Sequence, residues 1–584
     1  MLIIYVILSG MRFQNWNIKK FSEKDREAAK GLYLSGVNPL VSVLLTTRYK
    51  NTDEINTFLN TDSAPFYDPF LMADMEKATI RIKKAIEDSE KIAVYGDYDV
   101  DGMTSTAVIA LWLRSKNANF EIYIPGRFDE GYGLSIDALD TLKSNGTDLV
   151  ITVDCGITAT REAEHAKNIG LDLIITDHHE CRETLPAADA VINPKRSDCK
   201  YPYKTLAGVG VAFKLVCALE NDYQSADVFE KFGRFLALGT IADVMPVTGE
   251  NRKLICEGLK ILNSNPGAGL KQLISEVCKD TERVSTATIG YLLAPRLNAA
   301  GRMGDPKLSV ELLLTDDTTK ANELVAELCH LNMKRRSLEQ EIFENALSMI
   351  SSDKQNEPII LYSRDWNQGV TGVVASRIAE RFKLPSIIIS IDEDGIGRGS
   401  CRSAGGFDIY DALHNCEDIL ENYGGHTKAA GMDIAEGNIE KLRERIVKNY
   451  KNFAKTCFAP GLEIDYEVEK LELLKFANVE ALKCLEPYGN ENPPPCLCIK
   501  NATITALQAI GEGKHSRMKI EKNGETFSCI FFSVAVEDLG VNKGDTVDIA
   551  FEPQVNEFRG QSSVQLQLCD IHPGVSQSLP GEVI

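Results

Sequence analysis

Acidic and imidazole side chains follow three predicted buried strands of this sequence, and their types are those of metal ligands. The residues concerned are Asp97, Asp99, Asp101, Asp154, His178 and His179. Carboxylates crowded at strand ends repel one another, and divalent cations remove that penalty. Mixed carboxylate and imidazole ligands suit Mn²⁺, and Mg²⁺ is the alternative. Two such ions that share a bridging carboxylate form the usual site for phosphoryl hydrolysis.

Each of these motifs alone also has an ordinary structural explanation. An Asp-x-Asp-x-Asp run is more often a calcium-type loop or a solvated turn, and an adjacent His pair usually lies on the surface or is satisfied in a core. A single Asp after a strand is very often a helix N-cap. Their joint occurrence at successive strand ends favours a metal centre, because ligands bind at the carboxyl ends of strands in open α/β sheets. Asp243, in "LGTIADVMP", follows a helical run and is expected to reach the same place.

The elements that must position these side chains form a βαβ series over residues 91–195. The runs "KIAVYG", "FEIYIP", "DLVITVD" and "DLIITD" alternate with helical patterns near 103–114, 134–144 and 158–168, which predicts a parallel sheet. Residues 205–315 have mostly helical patterns. Residues 317–351 contain no Gly or Pro and predict one helix of about 50 Å, at 1.5 Å per residue.

A second α/β unit begins at "PIILYS" and extends to about residue 455. The Pro-rich "EPYGNENPPPCL" after it predicts a boundary loop. Apolar and polar residues then alternate, and Asn523-Gly524 between two strands predicts a hairpin. Several short strands in so short a tail are typical of a small barrel, with an OB-fold as the candidate.

Composition limits how a polyanion could bind and where the protein resides. A chain of 584 residues is long enough for several domains, and its net charge of −20 argues against polyanion binding over the whole surface. The 15 cysteines show no Cys-x-x-Cys pair and favour free thiols in a reducing, cytoplasmic compartment. Nothing predicts a transmembrane helix. Translation is expected to begin at Met11, and the alternative for the apolar residues 1–10 is a weak membrane-targeting segment.

Longer motifs resemble a known family. "GDYDVDG", "VDCG" and "TDHHE" match motifs of the DHH phosphoesterase superfamily, and "LGTIADVMPV" resembles its fourth motif. "APRLNAAGRMG", "WNQGVTGVVASRIAE", "GRGSCRS" and "GGHTKAAGM" resemble the RecJ family of single-strand-specific 5′→3′ exonucleases. The implied fold class is α/β, with a parallel-sheet DHH domain, a long helix, a second α/β (DHHA1) domain and a small β-barrel (OB-fold). The implied boundaries are an N-terminal segment 1–32, DHH 33–316, connecting helix 317–351, DHHA1 352–456, OB-fold 457–573 and tail 574–584.

The same resemblance implies a ligand set for two metal ions. Asp99 and Asp154 would hold one ion. The second ion would be held by Asp101, Asp154, His178 and Asp243. Asp154 is therefore the expected bridge.

Neighbouring residues receive supporting roles from the resemblance. Asp97 would ligate directly or through water, and His179 would contact the scissile phosphate. Asp177 would orient an imidazole or cap the next turn. Asn367 stands where the family more commonly has His, which leaves its role open.

Substrate contacts are expected from Gly-flanked polar motifs. In "PGRFDEGYG", Arg127 would contact phosphate and Tyr132 would stack on a base, and the plain alternative is a Gly-rich turn with a stray Arg. By resemblance, further residues line a groove between the two α/β domains, with a pocket for the 5′ end. They are Arg296, Asn298, Arg302, Arg398, Ser400, Arg402, His426 and Lys428.

The implied function is a metal-dependent exonuclease that degrades single-stranded DNA 5′→3′ to mononucleotides in DNA repair and recombination, with two Mn²⁺ or Mg²⁺ ions. The alternative is a DHH phosphodiesterase for short oligoribonucleotides or cyclic dinucleotides, which generally lacks so long a C-terminal tail. A non-catalytic binding protein would lack the metal acids. A monomer without membrane contact is expected, and single-strand-binding protein and a RecQ-type helicase are partners by resemblance only. A chain ending near Ala459 retains every proposed metal ligand, so it is expected to keep its chemistry if the core folds alone. It should bind long strands more weakly and cut very short oligonucleotides nearly as before.

Overall fold

The computed structural model of the chain divides into two compact units. The described residues are 12–13, 15–61, 64, 66–126, 133–222, 226–278, 283–350, 356–454, 461–558 and 561–574. We call Asn60–Gln340 with Pro487–Pro493 the central unit. We call Met1–Leu59, Glu341–Glu486 and Pro494–Ile584 together the flanking unit, because its segments flank the other in sequence.

A five-stranded parallel sheet organises the central unit. Its strands are Ile92–Tyr95, Phe120–Tyr123, Leu149–Val153, Asp172–Thr176 and Ala190–Ile192. Counted along the chain, they are arranged 2-1-3-4-5, with every neighbouring pair parallel. The predicted parallel βαβ sheet is therefore confirmed. The order reverses between the first and third strands, which is where open α/β sheets bind ligands.

Helices cover both faces of this sheet because its strands are apolar on both sides. Val94, Ile151 and Ile174 pack on the side of the helix Val100–Ser115. Residues of opposite pleat, such as Val150, pack against the helices Ile136–Ser144 and Thr160–Asn168. The first strand is thus packed on both faces, which fixes the position of the acidic residues that follow it.

The remainder of the central unit is helical, as predicted for residues 205–315. Its helices include Met75–Glu87, Gly208–Glu220, Ala226–Ala242, Gly249–Ser264, Ala268–Val277, Ala294–Met303 and Lys307–Leu314. A π-helical turn, Ile289–Leu293, leads into Ala294–Met303. The long helix predicted from residues without Gly or Pro spans Thr318–Met349, and the boundary between the two units falls within it.

The flanking unit contains a second sheet and a barrel. The sheet has the strand order Asn422–His426, Ala429–Ala435, Ile396–Arg402, Ser386–Ile391, Ile359–Ser363, and its helices are Gln368–Phe382, Ile409–His414 and Ile439–Ala454. The barrel strands are Leu497–Ile510, His515–Lys522, Glu525–Phe531, Thr546–Phe558 and Gln561–Pro573, and the first and fourth pair to close it. The hairpin at Asn523-Gly524 is confirmed, with φ of +50° and +82° as a type I′ turn requires. The predicted fold class is confirmed.

The N-terminal segment packs within the flanking unit, which its sequence did not predict. Trp16–Ile18 pairs in parallel with Leu462–Ile464, and the helices Glu23–Leu34, Pro39–Arg48 and Thr52–Leu59 follow. Asp465 accepts from Arg48 Nη2 at 2.7 Å and from Lys19 Nζ at 2.8 Å. Residues 1–11 lie outside the described part, so the expectation about Met11 is untested.

The structure bears on two expectations from the sequence, which concern the cysteines and membrane-spanning helices. The fourteen cysteines within the described ranges are all free thiols. Among the described residues, no helix is long and apolar enough to cross a membrane.

Candidate metal centre and anion-contacting strand

Side chains that follow three strands of the central sheet converge with Asp243 at the point where the strand order reverses. Their ligand atoms form three overlapping groups, each within 4.8 Å. The groups are Asp97, Asp99 and Asp154; Asp101, His178 and Asp243; and Asp154, His178 and His179. The structure therefore brings together all seven acidic and imidazole residues that the sequence singled out.

His178 lies at the middle of the cluster. Its Nε2 is 3.1 Å from Asp154 Oδ1, 3.5 Å from Asp243 Oδ2 and 3.8 Å from Asp101 Oδ2. No hydrogen bond of good geometry satisfies this buried Nε2 among the described residues. A buried imidazole lone pair that faces three carboxylates is the environment that a divalent cation completes.

Asp99 and Asp101 are positioned by the starts of two helices. Asp99 is the N-cap of Val100–Ser115, and its Oδ1 accepts from Gly102 N at 3.0 Å. Asp101 accepts from Gly208 N at 2.7 Å and from Val209 N at 2.9 Å, at the first turn of Gly208–Glu220. The unpaired amides and the positive dipole end of that helix hold the carboxylate in one orientation.

Asp154 has an uncommon backbone conformation and a tightly packed side chain. Its φ of +61° is left-handed, a region that Asp tolerates better than most residues. A Cβ atom placed on Gly208 would lie only 2.6 Å from Asp154 Oδ1. Gly208 is therefore a residue of the site that the sequence reasoning missed. The Gly-rich run "AGVG" ahead of an apolar helix was the available signal.

Asp177 organises the adjacent histidines rather than facing the cluster. Its Oδ1 accepts from His179 Nδ1 at 2.7 Å and from the His178 amide at 2.7 Å, and its Oδ2 accepts from Ile157 N at 2.9 Å. Burial opposes its charged form, yet the hydrogen bond and charge of His179 lower the pKa of Asp177 to about 2. Burial likewise opposes protonation of His179, but the bond to Asp177 raises the pKa of His179 to about 9. Asp177 thus contacts the imidazole of His179 and also accepts from the amides of the turn that follows it, the two alternatives left open for this residue.

Burial and mutual repulsion disfavour the charged forms of Asp101, Asp154 and Asp243. Burial and then the Asp99 charge raise the pKa of Asp101 to about 7, and burial with Asp101 raises that of Asp243 to about 8. Burial and four neighbouring carboxylates raise the pKa of Asp154 well above its usual range. Burial and His179 lower the pKa of His178 to about 3, so it is a neutral ligand at pH 7. This donor set fits divalent cations, which favour ionised carboxylates and neutral imidazole.

The motif "RLNAAGR" supports the acidic loop as well as offering polar groups. Asn298 Oδ1 accepts from Val100 N at 3.1 Å, directly beside Asp99. Arg296 Nη1 donates to Leu292 O at 2.7 Å, and Arg302 lies in the last turn of the same helix. Arg127 and Tyr132 lie outside the described residues.

One strand of the flanking unit carries three more of the residues predicted to contact the substrate. Arg398, Ser400 and Arg402 alternate along Ile396–Arg402 and therefore share a face. Arg402 Nε donates to Ser376 Oγ at 3.0 Å, and Ser400 Oγ is 3.1 Å from Thr371 Oγ1.

The rest of that motif set surrounds the strand. Arg398 Nη1 donates to Gln368 Oε1 at 3.4 Å. Asn367, whose role was open, is the N-cap of Gln368–Phe382 and accepts from Gly369 N at 2.9 Å. His426 ends the exposed edge strand of the sheet, and Lys428 follows it.

Comparisons with known proteins agree with this architecture. Three family models match: "DHH family, N-terminal domain" over residues 91–240, "DHHA1 domain" over 355–452 and "RecJ OB domain" over 464–570. The single-stranded-DNA-specific exonuclease RecJ of Bacillus subtilis is 38% identical over 97% of this chain and 71% of its own length. The crystal structure of RecJ with Mn²⁺ from Thermus thermophilus aligns with a TM-score of 0.80 at 28% identity, over 98% of this chain and 81% of that one. The corresponding structure with Mg²⁺ aligns with a TM-score of 0.75 at 27% identity, over 95% and 78%.

Proposed function

This chain belongs to the RecJ family, and we propose that it is a metal-dependent exonuclease that degrades single-stranded DNA 5′→3′ to mononucleotides in DNA repair and recombination. The observation that carries the proposal is the buried cluster around His178 Nε2, at the reversal point of the sheet. Single-stranded DNA as the substrate is supported by the name of the relatives that match along nearly the whole chain.

The proposed cofactors are two ions of Mn²⁺ or Mg²⁺, the metals named in the structures to which the fold is similar. We assign Asp99 and Asp154 to one ion. Asp101, Asp154, His178 and Asp243 are assigned to the other, with Asp97 adding a direct or water-mediated contact. When bound, such ions activate water and neutralise charge on the phosphoryl oxygens.

The pair Asp177–His179 supplies an oriented imidazole beside these ligands. His179 Nδ1 donates to Asp177, which fixes the orientation of the ring, and in the metal-free protein this bond raises the pKa of His179 to about 9. Nε2 of His179 is the ring nitrogen left to contact a non-bridging oxygen of the scissile phosphate, and it is a charge-assisted donor when the ring is protonated.

The strand Ile396–Arg402 is proposed to hold the DNA backbone. The two guanidinium groups offer donors to backbone phosphates, and their contacts with Gln368 and Ser376 restrict their rotamers before binding. Arg127, Tyr132, Arg296, Asn298, Arg302 and His426 are assigned to the same substrate path by family resemblance. The domain boundaries, a monomeric state, a cytoplasmic location, and partnership with single-strand-binding protein and a RecQ-type helicase belong to the same proposal.

A digestion of single-stranded DNA tests the proposed activity. The substrate carries either a 5′ or a 3′ label and is incubated with Mn²⁺, with Mg²⁺ or with chelator. We expect early release of labelled mononucleotide from the 5′-labelled strand and not from the 3′-labelled strand. This release should occur with Mn²⁺ or with Mg²⁺ and should be absent with chelator. A blunt duplex serves as the resistant control. Release that begins at the 3′ end, or activity that survives chelation, would contradict the proposal.

A further inference from the structure

Asp243 lies at the end of a helix whose termination is strained. Ala226–Ala242 ends in a Schellman motif, in which Val244 N donates to Ile241 O at 3.1 Å and Met245 N donates to Thr240 O at 3.2 Å. The left-handed position after Asp243 is usually Gly, but here it is Val244, with φ of +56°. A β-branched residue is strained in this region and persists only when its surroundings hold it.

The segment Pro487–Pro493, although distant in sequence, holds this turn. Asn490 Nδ2 donates to Val244 O at 2.9 Å, and Val247 N donates to Asn490 O at 2.8 Å. Thr248 Oγ1 donates to Glu491 Oε2 at 3.3 Å. The segment therefore contacts the chain that follows Asp243 at two points, Val244 and Val247.

The segment is itself a closed and anchored loop. Gly489 and Asn492 exchange backbone hydrogen bonds of 2.9 and 3.1 Å, and the buried Asn492 Nδ2 donates to Pro487 O at 2.9 Å. Thr286 Oγ1 donates to Tyr488 O at 2.7 Å. A loop braced in this way can transmit its position to the turn that it contacts.

Gly489 leaves no room for a side chain against the turn. A Cβ atom at this residue would lie 2.5 Å from Val247 Cγ2. Val247 is fully buried, so it cannot swing into solvent to relieve such a contact. Any side chain at position 489 must therefore displace the loop, the turn or both.

We propose that Pro487–Pro493 is a positioning element of the metal centre, which stabilises the strained turn at Val244 and thereby holds Asp243 Oδ2 beside His178 Nε2. Gly489 and Asn490 are its positioning residues. The inference rests on the proposed metal centre and extends it to a segment that the sequence predicted only as a boundary loop.

The test measures Mn²⁺ binding directly, by electron paramagnetic resonance of the free ion, together with kcat and KM on a 5′-phosphorylated oligonucleotide. Gly489→Ala is expected to weaken the affinity for the affected ion by about tenfold, as loss of a ligand-orienting partner does. It should lower kcat at limiting Mn²⁺ and leave KM for DNA unchanged. Asn490→Asp, which keeps the side-chain size but loses the Nδ2 donor, should show the same effect more weakly.

A second substitution separates positioning from simple destabilisation. Val247→Ala removes the atom that the new Cβ would contact, so it is expected to restore most of the Mn²⁺ affinity in the Gly489→Ala background. Gly437→Ala, where the added Cβ would meet nothing within 4 Å, is the matched control and should behave as wild type.

The outcomes distinguish failure of the positioning role from failure of the proposed metal centre. If the wild-type protein binds no Mn²⁺, the proposed metal centre fails. If the wild type binds Mn²⁺ and Gly489→Ala binds it equally well, the positioning role is overturned. It is also overturned if Val247→Ala restores the melting temperature of the Gly489→Ala protein without restoring Mn²⁺ affinity.

Discussion

A single methyl group at Gly208 is expected to disable the metal centre although no ligand is replaced. The Cβ of Gly208→Ala would lie 2.6 Å from Asp154 Oδ1 and 2.7 Å from Asp154 Cβ. Ordinary contacts of this kind are about 3.5 Å, so Asp154 must move by roughly 1 Å. Misplacement of that size costs on the order of 100-fold in rate, or about 2.7 kcal/mol.

The assay compares two alanine variants of one helix. Gly208→Ala should lower kcat on single-stranded DNA by about 100-fold and weaken Mn²⁺ binding by at least about tenfold, because Asp154 is assigned to both ions. KM should change little, since the strand Ile396–Arg402 is unaltered. Gly210→Ala is the control, because its Cβ would meet Leu206 at an ordinary 3.4 Å. That variant should retain activity and gain a little helix stability.

Two outcomes would contradict the role given to the contact between Gly208 and Asp154. Gly208→Ala with wild-type kcat and wild-type Mn²⁺ affinity would mean that Asp154 need not occupy its observed position. An equal loss in both variants would mean that the helix start, rather than the contact with Asp154, is sensitive to any added methyl group.

Three further expectations follow from the same geometry. Asp154→Ala should abolish hydrolysis, and more than a few per cent of residual activity at saturating Mn²⁺ would contradict the bridging role. Arg402→Ala should weaken DNA affinity and reduce the salt dependence of log K by about 0.7 while Mn²⁺ binding stays intact; an unchanged slope would argue against a phosphate contact. In metal-free protein, Asp101, Asp243 and His179 have folded-state pKa values raised to about 7, 8 and 9, so their contribution to stability is lost as pH rises. The melting temperature without metal should therefore rise when pH falls from 9 to 7, and excess Mg²⁺ should flatten the change; a metal-free profile that rises with pH would be inconsistent with the burial of these groups.

Local sequence pattern was sufficient for the elements that carry the ligands. The runs that end in Asp97, Asp154 and His178 are short, apolar and separated by helical patterns, so both the sheet and the meeting of its strand ends could be inferred. The Asn523-Gly524 turn was equally local, because both residues adopt positive φ readily.

Contacts between distant segments were beyond that reasoning. The run "AGVG" does not predict that the amides of Gly208 and Val209 donate to Asp101. In the structure both hydrogen bonds are shorter than 3 Å. The N-terminal strand Trp16–Ile18 is three residues long and finds its partner at Leu462–Ile464. Side-chain periodicity reports which face is buried but not which remote backbone completes the pairing.

These remote contacts change what a C-terminal deletion would report. A chain ending near Ala459 keeps all the proposed ligands, which is why its chemistry was expected to survive if the remaining core folds alone. In the structure, the truncation has two consequences. Trp16–Ile18 loses the strand with which it pairs, and the ion pairs of Asp465 are lost as well. The turn after Asp243 loses its contacts with Pro487–Pro493. We therefore expect the truncated protein to lose activity even on very short oligonucleotides, which do not reach the barrel.

Substitutions on the barrel surface isolate DNA capture better than deletion does. Arg517 and Lys519 alternate on the exposed face of His515–Lys522, and replacing both with Ser leaves every contact of Pro487–Pro493 in place. That variant should lower kcat/KM on long strands more than on short ones, since stacking and phosphate contacts along a barrel act only on DNA that reaches it. The truncated protein should instead lose both activities together. If it cuts short oligonucleotides at the wild-type rate, then Asp243 is held without the distant segment, and the support inferred for the turn is absent.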